Sequence, residues 1–381
     1  MEAYCQLYGF GNLVYTYRLL TAYDNLNAID YYGSIPEREF LLGSWHRPWV
    51  DYSLNDDLMM GVLYDTMKIT IQNNKRYIEL TPRGKDFLAN LKEALETSGY
   101  FSQRVQMLHI SQFDLFDEYE QLAEEIWPEA MTLRKQLIDV TGIRPGMKVL
   151  ELGSGSGPLT FEAGLAELIG PTGKLVCVDP SAGMMNRAKA KPQAKDKYWV
   201  EYRAGKAETL PFEDGTFDAV IGVAFLQFTD RQKALQEMRR VTRSGGVVGS
   251  VHPLAFDFRT IPFFNEWFAP IFRIANKKRG QPKSYLFTME KYIEDFQKTG
   301  FIKIESFKPP YPMLFHDPEK VIKHFIHGVG LFQEELADLP WRARQEIMEN
   351  LQQLGESVCQ KYSEEERIIQ MPAQLIRAIV P

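Results

Sequence analysis

An α/β fold, with a mostly parallel sheet and a smaller, mainly helical N-terminal domain, is what the sequence predicts, on three observations. From Gly142 onward, short apolar strands alternate with helical stretches. A glycine-rich loop closes the first of those strands. Residues 1 to about 100 lack that alternation and read as helices followed by one short hairpin. Strands alternating with helices imply helices over both faces of a parallel sheet. A chain of 381 residues also exceeds what one core ordinarily supports, so two domains are expected.

Seven strands are expected in the larger domain: Lys148 to Leu152, Lys174 to Val178, Trp199 to Arg203, Phe217 to Val223, Gly246 to Val251, Ile302 to Phe307 and Gln374 to Val380. A helix near Met289 to Thr299 is stopped by Gly300-Phe301. The interval from Lys308 to Arg367 is helical in pattern, with Pro340-Trp341 opening an amphipathic helix, and is too long for a plain hairpin. Ahead of the sheet, residues 103 to 140 read as a helical bridge. Leu115, Tyr119, Leu122 and Ile126 fall there at helical spacing, and Trp127-Pro128 marks a break.

In the N-terminal part, an apolar and aromatic helix through Leu13 to Ala28 precedes a second through Leu54 to Met67, then a strand at Arg76 to Leu80. Thr81 is placed to cap the next helix and Pro82 to take its first turn. The pattern resembles a winged helix. Such domains usually meet DNA, but residues 1 to 100 hold 9 Lys/Arg against 13 Asp/Glu, and Asp56, Asp57 and Asp65 face only Lys68 on the expected recognition helix. That sign repels phosphate, so a dimerisation module is the preferred reading. The expected division is therefore 1–102, a winged-helix-like dimerisation domain; 103–140, a helical linker; and 141–381, the α/β domain, with lid segments at 252–287 and 308–367.

A net charge of -6 and a pI near 5.7 argue against a protein that lives on nucleic acid or on an anionic membrane. Cys5, Cys177 and Cys359 are too few and too scattered for a disulfide framework or a zinc cluster. No signal-peptide pattern opens the chain and no apolar run has the length of a spanning helix, so a cytoplasmic location is expected.

An apolar strand ending in Gly153-x-Gly155-x-Gly157 offers backbone N–H groups at a helix N-terminus, and its glycines let a nucleotide-like ligand approach the main chain. A dinucleotide fingerprint needs its third glycine at position 158, which is Pro158, so nicotinamide enzymes are disfavoured. With Glu151 two residues before the first glycine, Asp179 ending the second strand and Met184 five residues later, the sequence resembles the class I, Rossmann-like methyltransferases. The likeness covers about residues 115 to 307 and the last strand.

The resemblance implies S-adenosylmethionine as cofactor, bound by Glu151, Gly153, Gly155, Gly157, Asp179, Met184, Lys206, Ala207 and Val223. It places Glu151 near the methionine part and Asp179 on the ribose hydroxyls, with Met184 against the adenine face. Lys206 stands where many relatives have Asp and cannot accept a bond from the adenine amino group, whereas Ala207 offers its backbone N–H. Phe217 to Val220 and Arg240 to Gly246 match the family's fourth strand and the turn before its fifth. Taken singly, these residues have bland readings as turns, caps and core; their order and spacing carry the inference.

Three residues are candidates for the catalytic set: His252 as a general base after the fifth strand, Gln227 near the methyl end of the cofactor, and Tyr119 as the aromatic of a lid. Between Leu254 and Phe287 a run of aromatic residues, among them Phe263, Phe264, Trp267 and Phe268, reads as an apolar lid over an acceptor pocket. The basic stretch Arg273 to Lys283 offers attraction for an acidic group. His316, His324 and His327 lack the pattern of a metal site. The expected enzyme methylates a small molecule at O, S or C and forms a homodimer through its N-terminal domain. Val223-Ala224-Phe225-Leu226 replaces the Pro-Pro signature of amino methylation. The competing readings are a cofactor-sensing regulator and a methyltransferase-fold enzyme that transfers no methyl group.

Overall fold

The computed structural model describes residues 10–43, 54–100, 113–114, 118–279, 286–328 and 332–381. Cys5, Leu115, Tyr285, residues 103–112 of the expected bridge, the last residues of the basic stretch and the side chain of His327 lie outside the described set. The chain divides into two compact units. One comprises Met1–Met107, Arg273–Gly280 and Phe332–Gln353; the other comprises Leu108–Phe272, Gln281–Leu331 and Leu354–Pro381.

In the first unit, α1 (Phe10–Tyr32), β1 (Ile35–Pro36), α2 (Glu37–Leu41), α3 (Leu54–Leu63), β2 (Met67–Gln72), β3 (Lys75–Leu80) and α4 (Pro82–Thr97) follow in order. The strands form an antiparallel sheet in the order β1-β3-β2. Tyr23, Leu26, Ile29, Phe40 and Ile78 are buried together under it. Thr81 caps α4 by accepting the Gly84 N–H at 3.0 Å, with Pro82 in the first turn. Gly84 is needed there, since a Cβ would stand 2.0 Å from the Thr66 carbonyl oxygen. α3 stops at Leu63 and not at Met67, because Asp65 takes a left-handed conformation (φ 55°) and Met67 opens β2.

The second unit begins with α5 (Tyr119–Ile126) and α6 (Ala130–Thr141), then β4 (Lys148–Leu152), α7 (Leu165–Ile169), β5 (Lys174–Asp179), α8 (Ala182–Ala190), β6 (Val200–Ala204), β7 (Phe217–Val223), α9 (Arg231–Val241) and β8 (Thr242–Pro253). Next come α10 (Pro262–Trp267), α11 (Ala269–Arg279), α12 (Met289–Thr299) and β9 (Ile302–Phe307). The remainder of the chain is β10 (Pro312–Leu314), α13 (Pro318–Ile322), α14 (Gln333–Leu336), α15 (Trp341–Lys361), β11 (Ile368–Gln370) and β12 (Ala373–Ile379). Of these, α14, α11 from Arg273 onward and α15 as far as Gln353 belong to the first unit.

The main sheet has seven strands in the order β6-β5-β4-β7-β8-β12-β9, and β12 alone runs antiparallel to its neighbours. Apolar clusters cover both faces, one holding Leu150, Val176, Val220 and Leu235, the other Leu137, Val149, Ile169 and Ile221. The alternation of odd and even strand residues between these clusters is the pattern of a sheet buried on both sides.

Two local features depart from expectation. Beyond the glycine loop the chain makes a five-residue π-helical turn, Pro158–Glu162, before Gly164 (φ 85°) breaks it off from α7. β10 and β11 pair antiparallel at either end of the segment expected to be helical. Strands of three residues are too short to display their alternation in sequence.

Candidate active site

β4 lies between β5 and β7, and the chain leaves its C-terminal end toward opposite flanks of the sheet. Ligands of open α/β sheets bind in the crevice at such a switch point. The register aligns the strand ends: Leu152 lies beside Val178 and Gly222, Asp179 beside Ala204, and Val223 beside Val251. Gly153, Asp179, Gly205 and Val223 therefore leave the sheet along one edge, and Gly205 donates its N–H to the Asp179 carbonyl at 3.1 Å.

All three loop glycines have positive φ: 64° at Gly153, 56° at Gly155 and 91° at Gly157. Their reasons differ. A Cβ on Gly153 would stand 2.6 Å from that of Phe225, and one on Gly157 would stand 2.9 Å from the Phe161 ring, whereas one on Gly155 would meet nothing within 4 Å among the described residues. The first two glycines let the protein pack on itself; the third leaves open space over the loop. Beside it Ser154 is 3% exposed, and its buried hydroxyl has no partner among the described residues.

Two carboxylates are buried at the crevice. Asp179 accepts from the N–H groups of Gly155 (2.9 Å) and Ser181 (2.8 Å), and burial nonetheless pushes its carboxyl above the usual range. Glu151, 2% exposed, accepts the Thr160 hydroxyl at 2.6 Å, and burial raises it to about 7. Half-buried Arg134 on α6, a residue the sequence reading missed, exerts its positive charge on Glu151, Tyr119 and the phenol of Tyr311. A lone arginine in a helix carries no motif, so only the fold could bring it forward.

Around this centre, Met184 is buried in the first turn of α8, whose cap is the Ser181 hydroxyl. Asp114 docks on the same turn, accepting from Ser181 Oγ at 2.5 Å and from the Gly183 N–H at 2.9 Å. Ala207 is buried, while Lys206 is exposed in a tight turn closed by its carbonyl and the Thr209 N–H. Tyr119 packs edge-on against Phe113 (5.4 Å) and parallel to His324 (6.0 Å). Glu120, its neighbour, accepts from Ser156 of the glycine loop and pairs with Lys191 at 2.8 Å. Gln227 follows β7; its Nε2 donates to the Ala224 carbonyl at 2.9 Å, while its Oε1 is buried without a partner among the described residues. Ala224 itself has φ 53°, a strained value for a residue with a Cβ.

His252 is separate from this group. It is fully buried in β8, its Nε2 2.8 Å from Gln374 Oε1 on β12 and its ring stacked 3.5 Å from Tyr292. Burial lowers it to about 3. In this position it offers no surface to an acceptor. The aromatic run also differs from the expected pocket lining: Phe263, Phe264, Trp267 and Phe268 are buried against one another and against Phe315 and Phe325. They form a dry core, and apolar composition alone could not distinguish that from a cavity wall. Among the described residues no group of three or more His, Cys, Asp or Glu could hold a metal ion.

The crevice fits S-adenosylmethionine. Open space over Gly155 suits a bulky nucleoside, buried Asp179 suits hydroxyl donors, buried Glu151 suits an ammonium group, and the unpartnered Ser154 hydroxyl awaits a polar neighbour. Fold and crevice together define a class I methyltransferase that uses this cofactor.

The chain belongs to the ubiE/COQ5 methyltransferase family, whose sequence profile matches residues 86–296. It is 32% identical to the demethylmenaquinone methyltransferase of Lactococcus lactis over 200 residues, 48% of this chain and 73% of that enzyme. It is 39% identical to the ubiquinone/menaquinone biosynthesis C-methyltransferase UbiE of Hahella chejuensis over 113 residues, 29% of this chain and 44% of that one. The chain thus spans less than half the length of the latter relative. The crystal structure of the YcgJ protein from Bacillus subtilis superposes with a TM-score of 0.41 at 19% identity, covering 65% of this chain and 98% of that protein.

Proposed function

We propose that the protein transfers the methyl group of S-adenosylmethionine to a small, flat, oxygen-bearing aromatic acceptor of the quinol type. The observation that carries the cofactor half is the juxtaposition at Gly155, where space for a ligand opens beside the buried Asp179 carboxylate. The acceptor half draws on the two relatives, whose names describe methylation in quinone biosynthesis.

When bound, the cofactor supplies a methyl group already activated on a sulfonium, so the chain's task is positioning and exclusion of water. In this reading Asp179 holds the ribose hydroxyls, Glu151 the methionine ammonium and Arg134 the neighbouring carboxylate. Gly153, Gly157 and Val223 shape the crevice, Met184 and the Ala207 N–H bound the adenine, and exposed Lys206 covers its edge. Tyr119 closes the site. The unpartnered Oε1 of Gln227 accepts a hydrogen bond from an acceptor hydroxyl and orients the nucleophile. His252 serves the sheet and takes no proton. The test is mass spectrometry of 1,4-naphthalenediol incubated with the protein and isotopically labelled cofactor; an unmodified diol would refute the acceptor assignment.

The N-terminal elements α1 to α4 are proposed as a winged-helix-like unit that joins two copies of the chain. Its acidic surplus and the exposed Met59, Leu63 and Ile71 support this reading. Light scattering on Leu63→Glu tests it, with a monomeric variant of a dimeric protein as the expected result. No helix among the described residues is long and apolar enough to cross a membrane.

A further inference from the structure

Tyr311 and His324 lie beyond residues 86–296, the part shared with the family. His324 is 1% exposed, within a π-helical turn at Lys323–Gly328. Turns of this kind are rare and recur at functional sites. The tautomer of His324 is set by a neighbour: the Trp127 indole N–H donates to its Nε2 at 2.9 Å, which leaves the ring's single proton on Nδ1. Burial lowers the ring to about 3, so it stays neutral and keeps that proton in place near neutral pH.

That Nδ1 is buried and has no hydrogen-bond partner among the described residues. Native folds rarely leave a buried donor unmade, and such a group marks the place of a missing water or ligand. The surroundings are flat and aromatic. Tyr119 lies parallel to the imidazole at 17°, and Trp127 stacks on Tyr311 with centroids 4.4 Å apart. The helix of Tyr119 also reaches the glycine loop, through Glu120 and Ser156. The imidazole thus stands one ring away from the crevice.

We propose that His324 is the specificity-determining donor for the methyl acceptor, its Nδ1–H holding an oxygen of a flat aromatic acceptor laid along Tyr119. This inference rests on the methyltransferase reading above. Cofactor binding belongs to the region shared with the family. A segment outside that region addresses what is particular to this chain, its acceptor. Trp127 is then a positioning residue, because its indole keeps the proton on the nitrogen that faces the ligand.

The test uses the full chain labelled with 15N-histidine, whose six histidines are few enough to separate by long-range 1H–15N correlation, with His324→Gln assigning the signal. Ligand-free protein is expected to show a protonated Nδ1 and a bare Nε2. S-adenosylhomocysteine alone should leave Nδ1 unmoved, and 1,4-naphthalenediol added with it should shift Nδ1 downfield. In turnover, His324→Leu should raise KM for the diol roughly tenfold, the worth of one hydrogen bond. kcat and homocysteine-product affinity should change less than twofold, and His324→Gln should recover part of the loss.

A shift on S-adenosylhomocysteine alone would assign the donor to the cofactor's carboxylate and overturn the proposal. So would an Nδ1 already bonded to water in every state, or an unchanged KM in His324→Leu. A diol that leaves Nδ1 unmoved also overturns it. If that diol is nevertheless methylated, the function proposed above stands without His324; if it is not, both fall.

Discussion

The crevice at the ends of β4, β5 and β7 and the aromatic cap built on α10 use burial in opposite ways. At the crevice, burial is left incomplete in its chemistry. Glu151 and Asp179 are desolvated carboxylates, Ser154 Oγ and Gln227 Oε1 lack partners among the described residues, and Gly153, Gly155, Gly157 and Ala224 hold left-handed backbone. In the cap, Phe263, Phe264, Trp267 and Phe268 find their partners in one another, with Phe264 and Phe268 stacked at 4.3 Å. The difference teaches that ligand contact is to be sought where polar groups are buried and unmatched, and stability where rings are matched.

The largest expected effect tests the cap as core. Trp267→Ala should cost about 3–5 kcal/mol, the usual range for a buried aromatic, because the ring also fills the space against Gly355, where a Cβ would come within 2.6 Å. Chemical denaturation should report the loss while affinity for S-adenosylhomocysteine is kept. If affinity fell and stability held, the cap would be a pocket wall after all. Next, Asp179→Ala should weaken that affinity about 100-fold, close to 3 kcal/mol for two charge-assisted hydrogen bonds, with a minor change in melting temperature. Calorimetry with S-adenosylhomocysteine measures it.

A smaller effect follows from Glu151, raised by burial to about 7 from its ordinary 4.5. Below pH 7 the ligand-free protein holds a proton there, and an ammonium ligand requires the anion. Affinity should therefore rise up to tenfold per pH unit toward pH 7 and level above it, with proton release on binding and a flat profile in Glu151→Gln. For folding the sign is reversed: the folded chain binds this proton more tightly than the unfolded one, so this group's contribution to stability falls as pH rises from 4.5 to 7. Least affected will be Lys320→Ala, which removes an exposed ion pair between Lys320 and Glu125 and should leave the melting temperature where it is.

The sheet was legible because its strands are apolar runs bounded by turn residues, and all seven lie within four residues of their expected bounds, three of them with no difference. The loop glycines were legible because left-handed backbone leaves few alternatives to glycine. Arg134 was not, since its significance lies in three neighbours remote in sequence. His252 was misleading for the converse reason: its place after a strand suggested access, whereas its pairing with Gln374 on β12 seals it in. Ring content in residues 256–272 could announce apolar packing but not which surface the rings would face.

The position of β12 has a consequence for how the protein is made. β9 has one neighbour in the sheet, β12, and between them in sequence come β10, α13, α14, α15 and β11. A ribosome delivers β8 and β9 well before the strand that joins them. Until residues 373–379 emerge, both carry open hydrogen-bonding edges of the kind that recruits strands from other chains. Nascent chains halted within α15 still carry both open edges, and the sheet closes only when β12 emerges to pair between β8 and β9.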